Sequence, residues 1–442
     1  MFLPRLLEKR VLVGVLLDAL GVAALILAQF WQTAYSTQSP GKTVSSSWTE
    51  SSLVLTPQSD LGTFSQAYSA PESGRFAQAF PAQGEACLLL PLALQPEYTY
   101  QYVSPVKEAP LPFNALGFHW DAEVPPDAHV AIEARTSQDG NEWGSWLPTE
   151  EVDALQGSRP QDTDLLFSSG RFLQYRVTVR RAPETWGPVF DAVRVTFINS
   201  SQGPSAEDAV AASGPFYRLA ALIRPQPLAR QAWGANETIR FNQGDMVWPL
   251  GYAPVKKIVL HHTATSNEYT DSAAIVRAIY YYHTVTLGWG DIGYNFVIDA
   301  AGKVYEGRYG GSNVIGAHVL NRNPGTLGVA LIGTFSNVDP PAEAVKAIDR
   351  FLVAKAVEYG IDPVGRSVFM GEDLPNIMGH RDVNSTSCPG DKLYALIPSL
   401  RDRAQAALPA YGESWASDNT PKLLKPGQEI TVEVQALNSG TA

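Results

Sequence analysis

The spacing of apolar and polar positions changes along this chain, and the changes divide it. Val11–Trp31 is a run of 21 residues, apolar except for Asp18 and Gln29, which is long enough to cross a bilayer. Arg5, Lys9 and Arg10 precede it; basic flanks stay cytoplasmic, so the chain beyond Trp31 is expected on the far side of a membrane. Asp18 opposes insertion, at about 2.5–3.5 kcal/mol unless it protonates or pairs. Residues 1–32 therefore read as a transmembrane or signal helix, with an uncleaved anchor preferred. The alternatives are a signal peptide cut near the weak A-x-A-like match Ala34-Tyr35-Ser36, or a buried helix of a soluble domain.

Residues 33–51 are Ser/Thr-rich without periodicity and read as a tether. Over 52–199 the apolar positions alternate in short runs: His129–Arg135, Phe172–Val179 and Val193–Phe197, with a turn signal at Asp139-Gly140. That pattern predicts an all-β sandwich-like domain. Residues 200–228 read as a linker around one short amphipathic piece.

Across 229–409 the period switches back and forth. Lys257–Leu260 is a short apolar strand running into His261-His262, and Ile275, Ala278, Ile279 and Tyr282 recur at helical spacing within Asp271–His283. Tyr294–Asp299 and Lys303–Glu306 flank a turn, Leu327–Gly333 is a continuous apolar run fit for a central strand, and Ala342–Tyr359 and Lys392–Ala407 are helical. The expected architecture is α/β: a mixed sheet with helices on its faces. Residues 410–442 end in a strand pattern and an Asn-Ser-Gly turn, and read as a truncated β-domain or a tail.

Composition narrows the class. Of 442 residues, 45% are apolar and 17% charged, which excludes wholesale disorder. The net charge of −11 argues against nucleic acid as a partner. Cys87 and Cys388 are the only cysteines, so a disulfide scaffold is excluded. Cys87 lies in the apolar run Ala86–Leu94 and is expected to be buried.

The chemistry gathers late in the chain. Five of the seven histidines (His261, His262, His283, His318 and His380) fall between residues 261 and 390, together with Cys388. Two imidazoles and a thiolate form a borderline-soft donor set suited to Zn²⁺, and three protein ligands leave a tetrahedral position open, as catalytic sites do. His283, on a Tyr-rich helix, is expected to pack rather than ligate. The His380-Arg381-Asp382 triplet matches a kinase catalytic loop, but no Gly-rich phosphate loop accompanies it and that reading is discarded.

The order of the motifs is more specific than any one of them. WGA (Trp233–Ala235), IVLHHTAT (Ile258–Thr265), GWGDIGYNFVID (Gly288–Asp299), GKVYEGR (Gly302–Arg308), GAHVLNRNPGTLGVALIG (Gly316–Gly333) and GHRDVNSTSCPG (Gly379–Gly390) resemble the peptidoglycan recognition protein family, part of the zinc N-acetylmuramoyl-L-alanine (type 2) amidases. The resemblance covers about 229–409. It implies one catalytic zinc ion held by His261, His380 and Cys388, with His262 turned to the other strand face. It also implies Tyr294 as a catalytic tyrosine, and Thr386 at a position where some members carry Lys and others Thr. His318, Asn323 and Arg308 would line the substrate groove.

The implied activity is cleavage of the amide between N-acetylmuramic acid and L-alanine in peptidoglycan or muropeptides, by a monomer in the extracytoplasmic space at the cell wall. Two rivals are a non-catalytic peptidoglycan-binding module on the same fold, and a thiol hydrolase built on Cys388 and His380. The 52–199 region resembles accessory β-sandwich modules of exported bacterial hydrolases. There Trp143 and Trp146 would either stack on sugar rings or pack internally.

Overall fold

The computed structural model describes residues 41–51, 63–66, 98–123, 128–149, 161–181, 189–214, 217, 225–408, 413–418 and 434–438. The hydrophobic N-terminal stretch and Cys87 lie outside them. Among the described residues, no helix is long and apolar enough to cross a membrane.

Among the described residues the N-terminal unit has ten strands: β1 (Lys42–Ser51), β2 (Thr63–Gln66), β3 (Tyr98–Val103), β4 (Lys107–Phe113), β5 (Ala115–Glu123), β6 (Ala128–Ser137), β7 (Leu147–Pro148), β8 (Gln161–Asp162), β9 (Gly170–Arg181) and β10 (Val189–Gln202). They form two antiparallel sheets, ordered β1-β10-β5-β8 and β2-β3-β9-β6-β7, with β4 added to β9. Period-two alternation makes the sandwich. Leu116, Phe118 and Trp120 of β5 and Val193, Val195 and Phe197 of β10 meet Val130, Ile132, Leu173, Tyr175 and Val177 of the facing sheet in one core.

Two boundaries differ from the sequence reading. Residues 42–51, expected as part of a tether, form strand β1 paired along β10; a run of Ser and Thr has no apolar period, yet its backbone completes a sheet edge. Strand β10 also continues to Gln202, past the expected domain end, and the supposed linker carries α1 (Ala206–Ala212), capped by Ser205. The C-terminal strand Val434–Asn438 pairs with Glu413–Asp418 in an antiparallel ribbon.

The α/β unit has a five-stranded sheet. Its strands are β11 (Lys257–His262), β12 (Phe296–Ile298), β13 (Val304–Glu306), β14 (Thr326–Leu331) and β15 (Ile377–Gly379), ordered β13-β12-β14-β11-β15. All neighbours run parallel except the β12–β13 hairpin. β11 and β14 are buried along their whole length, as central parallel strands are. Helices α3 (Ala342–Tyr359) and α4 (Asp391–Ala406) cover one face through Ile348, Phe351, Leu352, Leu393 and Ile397.

Helix α2 (Ser272–Tyr281) covers the other face and is not amphipathic in its surroundings, since every residue from Ser272 to Tyr280 is buried. One side meets Val297 and Ala330 of the α/β sheet; the other meets the outer face of β5 and β10 through Ala115 and Ile198, all in one continuous apolar cluster. Arg277, which the helical period would leave in solvent, donates to the carbonyls of Ser200, Pro204 and Trp233. The two units therefore share a core, with α2 as the layer between them.

Candidate metal centre and cleft

Strand β11 ends in His261-His262, and alternation sends the two rings to opposite faces. His262 Nδ1 accepts from the Phe335 amide at 3.4 Å. His261 turns to the α2 side. His380 follows β15 directly, and parallel pairing of β11 with β15 brings it alongside; the His261 and His380 ring centroids are 4.4 Å apart. Cys388 returns from the polar loop, its Sγ 3.6 Å from His261 Nδ1. One donor atom from each of these three buried residues fits within 4.8 Å of the others.

The surroundings suit a cation. The His262 amide donates to Cys388 Sγ at 3.4 Å, a backbone contact that fixes the position of the sulfur. Burial, reinforced by His380, His318 and His262, holds the His261 imidazole well below its usual range, so its ring is neutral and a lone pair is available. His261 Nε2 lies 3.0 Å from His318 Nδ1, and His318 Nε2 lies 3.3 Å from the Thr326 hydroxyl, which in turn donates to the Asn323 carbonyl at 2.8 Å. A proton on His261 Nε2 completes this chain and leaves Nδ1 facing Cys388, the arrangement that orients a metal-binding histidine. Asn384 Oδ1 lies 3.2 Å from His380 Nε2 and orients that ring in the same way. His318 itself is buried and held down to about 3 by desolvation and by His380. Its ring lies flat over Gly328, where a Cβ would come within 2.4 Å of it, so β14 requires glycine there.

These residues open into a cleft of about 300 Å³ lined by Tyr294, Thr386 and the three donors, together with His283, Trp289, His318, Asn323 and Asp164. Tyr294 is buried, with its ring centroid 5.5 Å from that of His261. Thr386 Oγ1 accepts from the Cys388 amide at 3.3 Å, which leaves its proton to donate into the cleft.

A family model described as N-acetylmuramoyl-L-alanine amidase matches residues 251–391. Peptidoglycan recognition protein 1 of Bos taurus is 38% identical over 149 residues, covering 33% of this chain and 71% of that protein. Peptidoglycan-recognition protein SC2 of Drosophila simulans is 34% identical over 169 residues, 38% of this chain and 82% of that one. This chain belongs to the peptidoglycan recognition protein and type 2 amidase family. The N-acetylmuramoyl-L-alanine amidase of Homo sapiens is 32% identical over 225 residues, 49% of this chain but only 36% of that protein's length. The family holds both catalytic amidases and non-catalytic binders.

Within this type 2 amidase unit the remaining candidates fall in different places. Asn323 lines the cleft, but its Oδ1 accepts from the amides of His318 and Val319 and so shapes the loop. Arg308 is not among the lining residues. It is buried, pairs with Asp291 at 2.9 Å, donates to the Trp248 and Pro249 carbonyls and stacks on the Trp248 ring at 3.6 Å. A groove role was expected for it; the structure shows a guanidinium whose donors point into a buried ion cluster instead. Trp143 and Trp146 stack on Arg135 at 5.0 and 4.7 Å, and Trp146 also on Arg176 at 4.7 Å, within the β unit.

Several lining residues escaped the sequence reading in their present role, His262, Ala317, Val319 and Leu320 among them. His283 was assigned to packing, yet it borders the cleft while its Nδ1 accepts from the Gly293 amide at 3.1 Å. It sits there because α2 widens into a π-helical turn at Tyr282–Thr286, which sends Tyr282 toward the β unit and His283 toward the site. Trp289 stood inside a matched motif without a role. Asp164 carried no local signal at all.

Proposed function

We propose that this chain hydrolyses the amide between the lactyl group of N-acetylmuramic acid and the first L-alanine of peptidoglycan, using Zn²⁺ held by His261, His380 and Cys388. The observation that carries the reading is the convergence of those three buried donors within 4.8 Å on one cleft that also holds Tyr294. The donor set, two imidazoles and a thiolate, fits zinc and leaves a coordination position for substrate or water. When bound, zinc supplies a Lewis acid that polarises the amide carbonyl and acidifies water.

The chain's own residues do the rest. His318 and Asn384 hold the two imidazoles in orientation. The Tyr294 hydroxyl donates to the oxygen on which negative charge builds as the amide carbonyl becomes tetrahedral. Thr386, which also lines the cleft, adds a neutral hydrogen bond where a lysine would add a full charge. The cleft walls of Trp289, Val319 and Leu320 exclude bulk water around the scissile bond. The hydrophobic Val11–Trp31 stretch, with its basic flank, supports a site of action outside the cytoplasmic membrane, at the cell wall.

The test uses the full-length chain with peptidoglycan and with a muramyl peptide, following newly freed L-alanine N-termini. Release that a chelator abolishes and Zn²⁺ restores is the expected result. Binding without release by zinc-loaded protein would make this one of the family's recognition modules, and release that survives the chelator would shift the chemistry to the Cys388 thiol.

A further inference from the structure

We propose that Tyr282 is a positioning residue for the cleft: seated on the β unit, it fixes the π-helical turn through which His283 holds the segment leading into Tyr294. This rests on the reading above for the role of Tyr294. Tyr282 does not itself line the cleft, and the three candidate donors stand on other elements: His261 on β11, His380 directly after β15 and Cys388 shortly before α4. The β unit lies wholly upstream of the region 251–391 matched by the family model, so the match assigns it no part in the site.

The anchoring runs along one side of α2. The Ser200 hydroxyl donates to the Ala274 carbonyl at 2.8 Å, Arg277 donates to the Ser200 carbonyl at 3.1 Å, and the Tyr281 and Ser45 hydroxyls meet at 2.9 Å. Residues 274, 277 and 281 are spaced three and four apart and share that helical face. At Tyr282 the helix opens into the wider turn, and this ring too is held by the β unit: its hydroxyl donates to the buried Thr163 carbonyl at 2.7 Å, and β5 passes beneath it at Gly117. His283, one residue on, works in the other direction. Its carbonyl accepts from the Trp289 amide at 2.9 Å and its Nδ1 from the Gly293 amide at 3.1 Å. Its ring centroid lies 4.6 Å from that of Trp289 and 5.7 Å from that of Tyr294. A Cβ at Gly293 would strike the Ala317 carbonyl oxygen, so the segment packs tightly against the far wall of the cleft. Displacing the Tyr282 ring tilts the turn, loosens the His283–Gly293 bond and moves the Tyr294 hydroxyl away from the oxygen it serves. A misplacement of about 1 Å at a reacting centre can cost as much as 10²-fold in rate.

The experiment uses the zinc-loaded full-length chain with a muramyl peptide, at a temperature where every variant is folded. Tyr282→Phe removes the anchoring hydroxyl, and Gly117→Ala pushes the same ring aside from within the β unit, where an added Cβ would stand 2.6 Å from Cε2. Each should lower kcat by about 10-fold while KM and zinc affinity stay within about 2-fold of the native chain. In a Tyr294→Phe background the same two substitutions should lower kcat by less than about 2-fold, because the hydroxyl they misplace is already gone. Tyr281→Phe takes a hydroxyl contact from the same interface without touching the π-helical turn and should leave kcat within about 2-fold. Amide hydrogen exchange, read without substrate, should be about 10-fold faster at Gly293 in Tyr282→Phe than in the native chain. Equal losses in Tyr281→Phe and Tyr282→Phe, a full loss on top of Tyr294→Phe, or native exchange at Gly293 would overturn the proposal. A native chain that binds the peptide without turnover, with Gly293 exchange still faster in Tyr282→Phe, would overturn the amidase reading and leave the positioning role standing.

Discussion

The Tyr282 hydroxyl donates to the Thr163 carbonyl at 2.7 Å, joining the π-helical turn that follows α2 in the α/β unit to a loop of the β unit more than 100 residues upstream. Gly117 of β5 lies under the same ring, where an added Cβ would stand 2.6 Å from Cε2. Burial also holds the Tyr282 phenol well above its usual range, so the bond has a neutral donor at any physiological pH.

This joint predicts coupled stability. Tyr282→Phe leaves the buried Thr163 carbonyl short of its donor and should cost about 1–3 kcal/mol. Gly117→Ala forces the ring aside and should cost a similar amount by overpacking. The double variant should lose less than the sum, because one displaced ring accounts for both effects. Denaturant midpoints of the three variants check this; strict additivity would mean that the two sites do not share the contact.

The relay behind His261 makes a prediction about metal rather than substrate. His318→Ala should lower zinc affinity by about 10- to 100-fold, the usual effect of removing a partner that orients a ligand, while leaving one zinc per chain at saturation. Cys388→Ser should prevent stoichiometric loading. A competition titration with a zinc chelator separates the two, and unchanged affinity in His318→Ala would return that residue to a pure groove role.

Tyr294→Phe removes one hydroxyl from the cleft and none of the three donors. Zinc content and substrate KM should be retained, whereas kcat should fall by about 10²–10³, as when a donor to a developing oxyanion is lost. Steady-state kinetics on a muramyl peptide decide it, and a change confined to KM would assign the tyrosine to binding alone.

Burial pushes His283 down to about 3 from 6.5, and its Nδ1 is committed as an acceptor for the Gly293 amide. The sign follows from linkage: the unfolded chain binds this proton below about 6.5 and the folded chain does not until about 3. Its stabilising contribution is therefore complete above that window and is lost as the pH falls through it, at up to about 1.4 kcal/mol per pH unit. His283→Gln supplies a neutral acceptor that does not titrate. Unfolding of the metal-free protein at pH 7 and pH 5 should show a shallower loss in the variant; equal slopes would remove His283 from the account.

Much of the α/β unit was legible in the chain because its information is local. The strand Lys257–His262, the hairpin around Ala300–Gly302 and the helices Ala342–Tyr359 and Asp391–Ala406 stand where period and turn residues put them. His261, His380 and Cys388 were recognisable from their motifs, and parallel pairing then explains how residues more than 100 positions apart meet. Arg308 shows the limit of motif reasoning. A matched position implied a groove residue, but whether a guanidinium faces a cleft or a buried carboxylate depends on Asp291, which no local pattern connects to it.

By itself the sequence determined the family, the α/β and β-sandwich classes of the two units and the three residues that converge as candidate metal donors. Each of these is encoded in residue types at short, repeating or motif-bound spacings. Tertiary structure alone decided that Ser and Thr at 42–51 complete a sheet edge, that α2 is buried all round, and that Asp164 faces the cleft. Those facts depend on which surface of one unit meets which surface of the other. Period and propensity report the face a segment buries within its own unit and carry no term for a second unit packed against the opposite face.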